Sequence, residues 1–376
     1  MVHEETWPAD KGERLLPGIT RAKEPARRGL IEQVGKEREK TMGGKAMNRQ
    51  RCGAAFGSLA FLAMMLLFIA SVASAAQPAT GSMVIATYAA APQQLDWALS
   101  LAESVRQFGG PSSATPIRIY LNPSVRLIEG RDERARAAQV ETRVSETPRS
   151  MAAYKGGGIC SAAALAETEA QGQAEFLVWM DPDTIVLNDL SALALPLEVS
   201  LGCTPVFLQR VGSMQAEPLD LYWQTLYETL GVPTASVFPV QSLIDDRTLR
   251  AYVNTGLLVV RPGRGILQAW SAAFETLCGT RRVVELVRQD FDRRALFHQA
   301  VFSAMICRDL KRGEIKLYGA GINYPLSLQH LIPDPKRPKR LDDVVTCRHD
   351  MFFKRPAWEK ELRASDELKS WMKARF

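Results

Sequence analysis

The sequence predicts an α/β protein built on a doubly wound parallel sheet with helices on both faces. Short, continuous apolar runs, typical of strands buried on both faces, alternate with segments of helical period. One of these runs, Phe176-Leu-Val-Trp-Met180, leads directly into Asp181 and Asp183. Ligands of such sheets bind at the carboxyl ends of strands, so this end is the expected ligand site.

The first part of the predicted domain, which spans residues 82–358, follows a strand–helix rhythm. The predicted strands are 83–88, 116–121, 139–144 and 176–180, and the predicted helices are 95–108, 125–138 and 161–170. The helix at 95–108 stops at Gly109 and Gly110, which is a helix C-terminal signal. This alternation is the basis of the predicted fold class.

The second part is more irregular, and it contains no internal repeat. Strands are predicted at 199–208 and 252–260, helices at 217–230, 265–277 and 291–308, and short strand-like pieces at 316–318 and 322–324. The strand at 252–260 opens with the polar residues Asn254, Thr255 and Gly256. A C-terminal helix is predicted from about Trp358 and occupies 359–376.

Asp181 and Asp183 are the best candidates for chemistry in the chain. An unpaired buried carboxylate is very costly, so solvent or a cation must meet both acids. Pro182 stiffens the link between them, and both can face one small volume. Carboxylate oxygens suit Mg²⁺ or Mn²⁺, which in turn suit a diphosphate. A solvated Asp-Pro-Asp turn is the alternative.

Composition predicts a folded core and argues against a nucleic-acid-binding protein. The chain has 376 residues, of which 46% are hydrophobic and 23% charged. The net charge of +6 fits an anionic ligand or membrane surface, but the basic residues are scattered rather than set on one stripe. The six cysteines include no Cys-x-x-Cys pair, so buried thiols are predicted rather than a zinc site, with one or two disulfides as the alternative if the domain is exported.

The N-terminus predicts export. Residues 1–52 are rich in Lys, Arg, Glu and Gly without an apolar period, which is typical of disorder. Residues 53–76 carry no charge, follow Arg49 and Arg51, and end near Ala73-Ser-Ala75, which has the form of a signal-peptidase site. A chain starting at Met47 would have a well-formed export signal, so residues 1–46 are interpreted as an extension before the true start.

An uncleaved signal anchor is the alternative to a signal peptide, because the apolar segment is about long enough to span a bilayer. In either case we expect the domain outside the cytoplasm. That location is the periplasm or extracellular space, or the Golgi lumen in a eukaryote. An uncleaved segment would also make the membrane a partner.

The order of these pieces resembles the nucleotide-sugar glycosyltransferases of the GT-A fold. The resemblance is closest to the glycogenin-like and bacterial galactosyltransferase-like family, called family 8-like. Four segments carry it: the strand with Asp-x-Asp at 176–187, the Asn-x-Gly strand at 252–260, the Phe297-His298-Gln299 helix segment and the stretch from His349 to Trp358. The match spans roughly residues 83–358.

The resemblance implies a hexosyltransferase that uses a nucleoside-diphosphate sugar, expected to be a UDP-sugar, with Mn²⁺ or Mg²⁺. It implies that Asp181 contacts the ribose and the metal, and that Asp183 and His349 ligate the metal. Lys354 would neutralise the diphosphate as a point charge. The acceptor would be a glycan, a lipid or a protein.

The same resemblance implies a sugar pocket. Asn254 would contact the sugar by hydrogen bonds, and Gly256 would allow its close approach. Gln299 would reach the reacting face of the sugar, and Tyr88 would belong to the first nucleotide-binding unit. The stretch Tyr154-Lys-Gly-Gly-Gly is interpreted as a flexible glycine loop, with an approach of Lys155 to a phosphate as the alternative.

Three departures from the family pattern favour an alternative function. His298 stands where the family has an acid, and the C-terminal segment lacks the family's Gly and has Arg355 between Lys354 and Pro356. The spacing from His349 to Lys354 is one residue short of the family's. The alternative is an exported, non-catalytic GT-A-like protein that binds a glycan or a nucleotide.

Overall fold

The computed structural model describes residues 82–128 and 130–376. The predicted disordered segment at 1–52, with Met47, and the apolar segment at 53–76 lie outside the described residues. Within those described ranges, no helix is both long and apolar enough to cross a membrane. The five cysteines in this part of the chain are buried free thiols, as predicted.

The described residues form twelve strands, ten α-helices and several short 3₁₀ turns. The strands are β1 (Met83–Ala89), β2 (Ile117–Leu121), β3 (Val140–Val144), β4 (Phe176–Met180), β5 (Thr184–Val186), β6 (Leu201–Pro205), β7 (Pro239–Gln241), β8 (Thr248–Arg250), β9 (Val253–Val260), β10 (Ile315–Leu317), β11 (Tyr324–Pro325) and β12 (Thr346–Arg348). The helices are α1 (Pro92–Phe108), α2 (Arg131–Ala137), α3 (Arg149–Ala152), α4 (Gly157–Ala170), α5 (Leu221–Leu230), α6 (Ile266–Cys278), α7 (Arg281–Arg288), α8 (Phe291–Asp309), α9 (Trp358–Glu361) and α10 (Asp366–Lys373).

A seven-stranded mixed sheet is the centre of the domain, with strand order β10-β6-β9-β4-β1-β2-β3. Strands β3, β2, β1 and β4 are parallel, as the strand–helix rhythm predicts. The exception is β9, which runs antiparallel to both of its neighbours, β4 and β6. The predicted α/β class is confirmed, and the sheet is mostly rather than wholly parallel.

Strand β4 is buried on both faces, which explains its uninterrupted apolar sequence. Phe176, Val178 and Met180 pack into one core cluster, and Leu177 and Trp179 pack into the cluster on the opposite face. This is the alternation that a strand imposes on successive side chains. Helices α4, α6 and α8 contribute to the Leu177 face, and α1 contributes to the Phe176 face.

The antiparallel direction of β9 brings two predicted site segments together. Met180, the last residue of β4, pairs with Leu257, and the Asp181 N–H donates to the Gly256 carbonyl at 2.8 Å. Because the strands run in opposite directions, the start of β9 lies beside the end of β4. Asn254 and Gly256 therefore reach the same edge of the sheet as Asp181.

A second, three-stranded sheet has the order β11-β12-β5. Strand β12 pairs antiparallel with β5, and Arg348 is the pairing partner of Thr184. Asp183 immediately precedes Thr184, so this register places Arg348 beside the acid. The small sheet thus delivers a residue from near the C-terminus to the end of β4.

Several helices differ from the predictions in their boundaries or number. Helix α4 begins at Gly157 rather than at residue 161, so the glycine run opens a helix and is not simply a loop. The charged stretch at 125–138 is helical only over α2, and α7 was not predicted. The C-terminal stretch forms two helices, because the Ser365 side chain accepts the Leu368 N–H and starts a new one.

Candidate active site

Asp181 and Asp183 lie between β4 and β5 and share one arginine. Arg348 Nη2 lies 2.9 Å from Asp181 Oδ2, and Arg348 Nε lies 3.2 Å from Asp183 Oδ1. Nη2 also donates to Asp183 Oδ2 at 3.2 Å, and the Asp350 N–H donates to the same oxygen at 3.2 Å. We call Asp181, Asp183 and Arg348 the ion-pair cluster. The sequence prediction missed Arg348, although it stands directly before the predicted ligand His349.

The two acids of the ion-pair cluster are not equivalent. Asp183 is the more enclosed, with 8% of its side chain exposed against 21% for Asp181. Burial raises the pKa of Asp181 to about 6, although Arg348 opposes the rise. Burial also acts to raise the pKa of Asp183, but Arg348 and the Asp350 N–H outweigh it and hold that pKa below its usual value. Asp183 therefore stays ionised to a lower pH than Asp181 and is the more permanent anion of the pair.

The start of β9 closes one side of the cluster. Asn254 Oδ1 accepts the Gly256 N–H at 2.7 Å and an Asn323 Nδ2–H at 3.1 Å. A Cβ on Gly256 would lie 2.8 Å from Arg348 Nη1 and 2.9 Å from both Asn254 Oδ1 and Asp181 Oδ2. Glycine therefore fits here without a shift of these protein groups, and the predicted close approach of a sugar to Gly256 stays a prediction.

Gln299 and Asn323 support the start of β9 from the interior. The Thr255 N–H donates to Gln299 Oε1 at 3.4 Å, and Asn323 Nδ2 donates to Thr204 Oγ1 at 3.1 Å. Both side chains are buried. The predicted contact of Gln299 with a sugar stays a prediction. Asn323 was missed, although a polar residue between Ile322 and Tyr324 was a usable signal.

His349 lies next to Asp183, but its ring is enclosed by aromatic side chains. The His349 N–H donates to the Asp183 carbonyl at 3.0 Å. The ring centroid lies 5.3 Å from that of Trp97, 5.4 Å from Phe353 and 4.6 Å from Phe376. Neither ring nitrogen has a hydrogen-bond partner among the described residues, and burial lowers the pKa of His349 to about 4.

The two basic residues after His349 do not join the ion-pair cluster. Lys354 is exposed and forms no ion pair with the rest of the described chain. Arg355 Nη2 donates to the Ser327 carbonyl at 2.7 Å, and its Nη1 lies 3.7 Å from Glu361 Oε2. The contact of Lys354 with a diphosphate stays a prediction, and Arg355 is engaged elsewhere.

The fold family implies a divalent metal, for which Asp181, Asp183 and His349 would be the donors. As arranged, these residues do not fit one. The guanidinium of Arg348 already lies between the two carboxylates, and the His349 ring is held among aromatic side chains. Across residues 82–128 and 130–376, no group of three or more His, Cys, Asp or Glu residues could hold an ion.

A cavity of about 320 Å³ opens beside Asp181, and we call it the donor cavity. It lies between the ends of β1 and β4 and the start of α4. Tyr88, Asn122, Tyr154, Lys155, Gly158, Trp179 and Asp181 are among its lining residues. Asn122 Nδ2 donates to Tyr88 Oη at 3.2 Å. Predicted site residues Tyr88 and Asp181 thus share one cavity with Lys155.

The glycine run at the start of α4 is required by close packing. A Cβ would lie 2.6 Å from His298 Cβ at Gly156, 2.3 Å from the Met151 carbonyl oxygen at Gly157, and 2.4 Å from Tyr88 Oη at Gly158. Gly156 also has a φ of 101°, a left-handed conformation that favours glycine. The run therefore fixes the start of α4 against the cavity wall.

The same helix start favours an anion in the donor cavity. The first N–H groups of a helix have no partner within it, and the helix dipole places partial positive charge there. Lys155, Gly158 and Ile159 all line the cavity at this end. Helix N-termini beside a lysine are common binding sites for phosphate groups.

His298 adds a neutral ring next to the glycine run. Burial lowers its pKa to about 4, and the nearby Lys155 and Arg348 contribute to that decrease. His298 is therefore uncharged at neutral pH, and its ring adds no charge to the neighbourhood of the donor cavity.

The mixed sheet, the acids at the end of β4 and the glycine-started helix together define a nucleotide-sugar glycosyltransferase of the GT-A type. The chain belongs to the Rhodobacterales glycosyltransferase domain family, whose model matches residues 86–295. The matched stretch includes Tyr88, Asp181, Asp183 and Asn254. The finer assignment to the glycogenin-like family stays a prediction.

Three solved structures illustrate the likeness. The chain is similar to galactosyltransferase LgtC, solved with donor and acceptor sugar analogues, with 14% identity, a TM-score of 0.39, and 71% of this chain and 86% of that chain covered. Mouse xyloside xylosyltransferase 1 is similar with 13% identity and a TM-score of 0.38, and the match covers 71% of this chain and 96% of that chain. Core-mannan synthase A from Aspergillus fumigatus, in its Mn/GDP form, is similar with 10% identity and a TM-score of 0.39, and the match covers 65% of this chain and 74% of that chain. No curated protein matches the chain.

Proposed function

We propose that this glycosyltransferase moves a hexose from a UDP-sugar to a hydroxyl group of a glycan, lipid or protein acceptor. The observation that carries the proposal is the donor cavity. There a lysine, a helix N-terminus and a carboxylate surround a space of about 320 Å³. These groups suit a diphosphate, which needs positive charge, and a sugar or ribose, whose hydroxyls need an acceptor.

The transfer breaks the bond between the anomeric carbon and the diphosphate oxygen and forms a bond to the acceptor oxygen, while the proton of the acceptor hydroxyl passes to the leaving diphosphate. Negative charge then grows on the leaving diphosphate. Lys155 and the N–H groups at the start of α4 would stabilise this charge, since residues at this end of the helix line the cavity. Asp181 would accept hydrogen bonds from donor hydroxyls, with Asn254, Gly256 and Gln299 bounding the sugar side.

A metal-dependent form of the same activity, with Mn²⁺ or Mg²⁺ held by Asp181, Asp183 and His349, is the competing version. One observation favours it: both ring nitrogens of the buried His349 lack a hydrogen-bond partner among the described residues. In this version Lys354 would contact the diphosphate. It requires Arg348 to leave both carboxylates.

A non-catalytic protein that binds a nucleotide or glycan is the second candidate function. The neutral His298, in place of an acid near the donor cavity, favours it. Such a protein would bind UDP yet leave UDP-hexoses intact.

Calorimetry and a UDP-release assay separate these candidates. We expect UDP to bind with micromolar affinity, and a mixture of UDP-hexose and glycan acceptors to release UDP. Binding without release under all acceptor mixtures would favour the second candidate. If neither UDP nor GDP binds, with or without Mn²⁺, the donor cavity is not a nucleotide site and the proposal is wrong.

We also propose that the segment at 53–76 exports the domain, so that the acceptor lies outside the cytoplasm. The basic residues before the segment and Ala73-Ser-Ala75 after it support this. N-terminal sequencing of the exported protein should give a start near Ala76, or an intact segment if it remains as an anchor. A cytoplasmic protein that retains residues 1–46 would contradict the proposal.

A further inference from the structure

We propose that Arg348 is a built-in cation that takes the place of a divalent metal between Asp181 and Asp183, so that the chain binds its nucleotide without a metal. The part that concerns the nucleotide rests on the proposed function. The part that concerns the metal stands on the ion-pair cluster alone.

Arg348 occupies the volume that a metal would need. Its Nη2 and Nε lie 2.9 to 3.2 Å from three carboxylate oxygens, one on Asp181 and two on Asp183. A divalent ion shared by the two acids would lie roughly 2.0–2.6 Å from the same oxygens. The ion cannot enter until the guanidinium has left all three.

The backbone holds Arg348 in this place. Strand β12 pairs with β5 so that Arg348 faces Thr184 and the buried Cys347 faces the buried Ile185. The Asp350 N–H and the His349 N–H, which follow Arg348 in the chain, bond to Asp183 as well. With 23% of its side chain exposed, Arg348 is part of the fold and not a mobile surface residue.

One donor group of Arg348 remains for a ligand. Nη1 makes no hydrogen bond to another described residue, and it lies 2.8 Å from the place where a Gly256 Cβ would be. It is therefore next to the start of β9, on the predicted sugar side. A planar guanidinium that carries a permanent charge is well suited to oxygen atoms of a phosphate.

The metal alone tests the first part of the proposal. We expect the full chain to show no Mn²⁺ binding tighter than about 1 mM in a Mn²⁺ titration followed by electron paramagnetic resonance. Arg348→Ala should bind Mn²⁺ at least about tenfold more tightly, because the two carboxylates lose their cation and remain close together. Arg348→Lys keeps the charge and is expected to behave like the unaltered protein.

Tight Mn²⁺ binding by the unaltered chain, or no gain in Arg348→Ala when circular dichroism shows it folded, would overturn the proposal. If Arg348→Ala does not fold, the Mn²⁺ titration of the unaltered chain still tests the proposal, because micromolar Mn²⁺ binding at Asp181 and Asp183 would contradict a built-in cation. The unaltered chain's own Mn²⁺ titration needs no variant and no nucleotide.

UDP affinity with EDTA and with Mn²⁺ tests the second part. We expect the two dissociation constants to agree within about twofold. A loss of tenfold or more in EDTA that Mn²⁺ reverses would show that the nucleotide needs the metal. Failure to bind UDP under both conditions counts against the proposed function, and the Mn²⁺ titration then judges Arg348 separately.

Discussion

On the α4 side of the donor cavity the cation, Lys155, is exposed and forms no ion pair with the described part of the chain, whereas on the β4 side the cation, Arg348, is bound to two carboxylates. The α4 side is made of glycines that pack tightly but carry no charge. In the proposed function the two sides therefore have different roles: the α4 side would offer an unpaired positive charge to a diphosphate, and the ion-pair cluster would offer fixed, largely neutralised groups that orient the donor.

The largest expected effect comes from breaking the α4 side at Gly157. Gly157→Ala should lower transferase activity by at least about 100-fold, because its Cβ would lie 2.3 Å from the Met151 carbonyl oxygen and the helix start must move. Gly263→Ala is the control, since a Cβ there meets no atom within 4 Å. Steady-state kinetics would measure both, and equal activities would show that the helix start is not part of the site.

The next largest effect should distinguish the two acids of the ion-pair cluster. Asp183→Asn should lower the free energy of unfolding by about 3 kcal/mol, because it leaves the partly buried Arg348 poorly compensated. Asp181→Asn should cost about 1 kcal/mol, because Arg348 keeps its contacts with Asp183. Urea denaturation measures both values. A larger loss for Asp181→Asn would reverse our assignment of the more permanent anion.

A smaller effect is expected for the free cation of the α4 side. Lys155→Ala should weaken UDP binding about tenfold, the loss of roughly 1.4 kcal/mol of interaction with phosphate. Lys360→Ala, which removes an exposed lysine on α9, should change the affinity less than about twofold and serves as the control. Calorimetry at one ionic strength would compare them. A tenfold loss in Lys354→Ala, with Lys155→Ala unchanged, would instead support the sequence prediction.

The smallest expected effect concerns His349. His349→Phe should raise the free energy of unfolding by about 1 kcal/mol, because it removes two buried nitrogens that have no partner among the described residues. UDP affinity should be unchanged, with and without Mn²⁺. Loss of Mn²⁺-dependent UDP binding in this variant would show that the ring is a metal ligand, and would favour the metal-dependent form.

The sequence predicted the features that are local in the chain. The strand Phe176–Met180 and its two acids were predicted because five consecutive apolar residues indicate burial on both faces and the two acids follow directly. The start of β9 was predicted as a strand for the same reason. Its antiparallel direction was not, since direction depends on the long connection between β6 and β9 and on pairing partners far away in sequence.

The sequence did not indicate residues whose positions depend on contacts between distant parts of the chain, or whose local pattern fits more than one structure. Arg348 lies beside Asp183 because of the register of β12 on β5, which no local sequence pattern encodes. The glycine run after Lys155 is compatible with a flexible loop as well as with a tightly packed helix start, and packing against Met151, Tyr88 and His298 decides for the helix. The resemblance implied that His349 is a metal ligand, which stays a prediction, and no sequence pattern indicated that aromatic side chains enclose its ring.

The hydrogen bonds between Arg348 and Asp183 join residues that are 165 positions apart in the chain. During synthesis the parallel strands β1 to β4 emerge long before β12, so the two acids exist for a time without their counter-charge. Closing so long a loop is slow compared with forming neighbouring strands and helices. Nucleotide binding should therefore be the last property to return in refolding, after the central sheet has formed and only when β12 has docked.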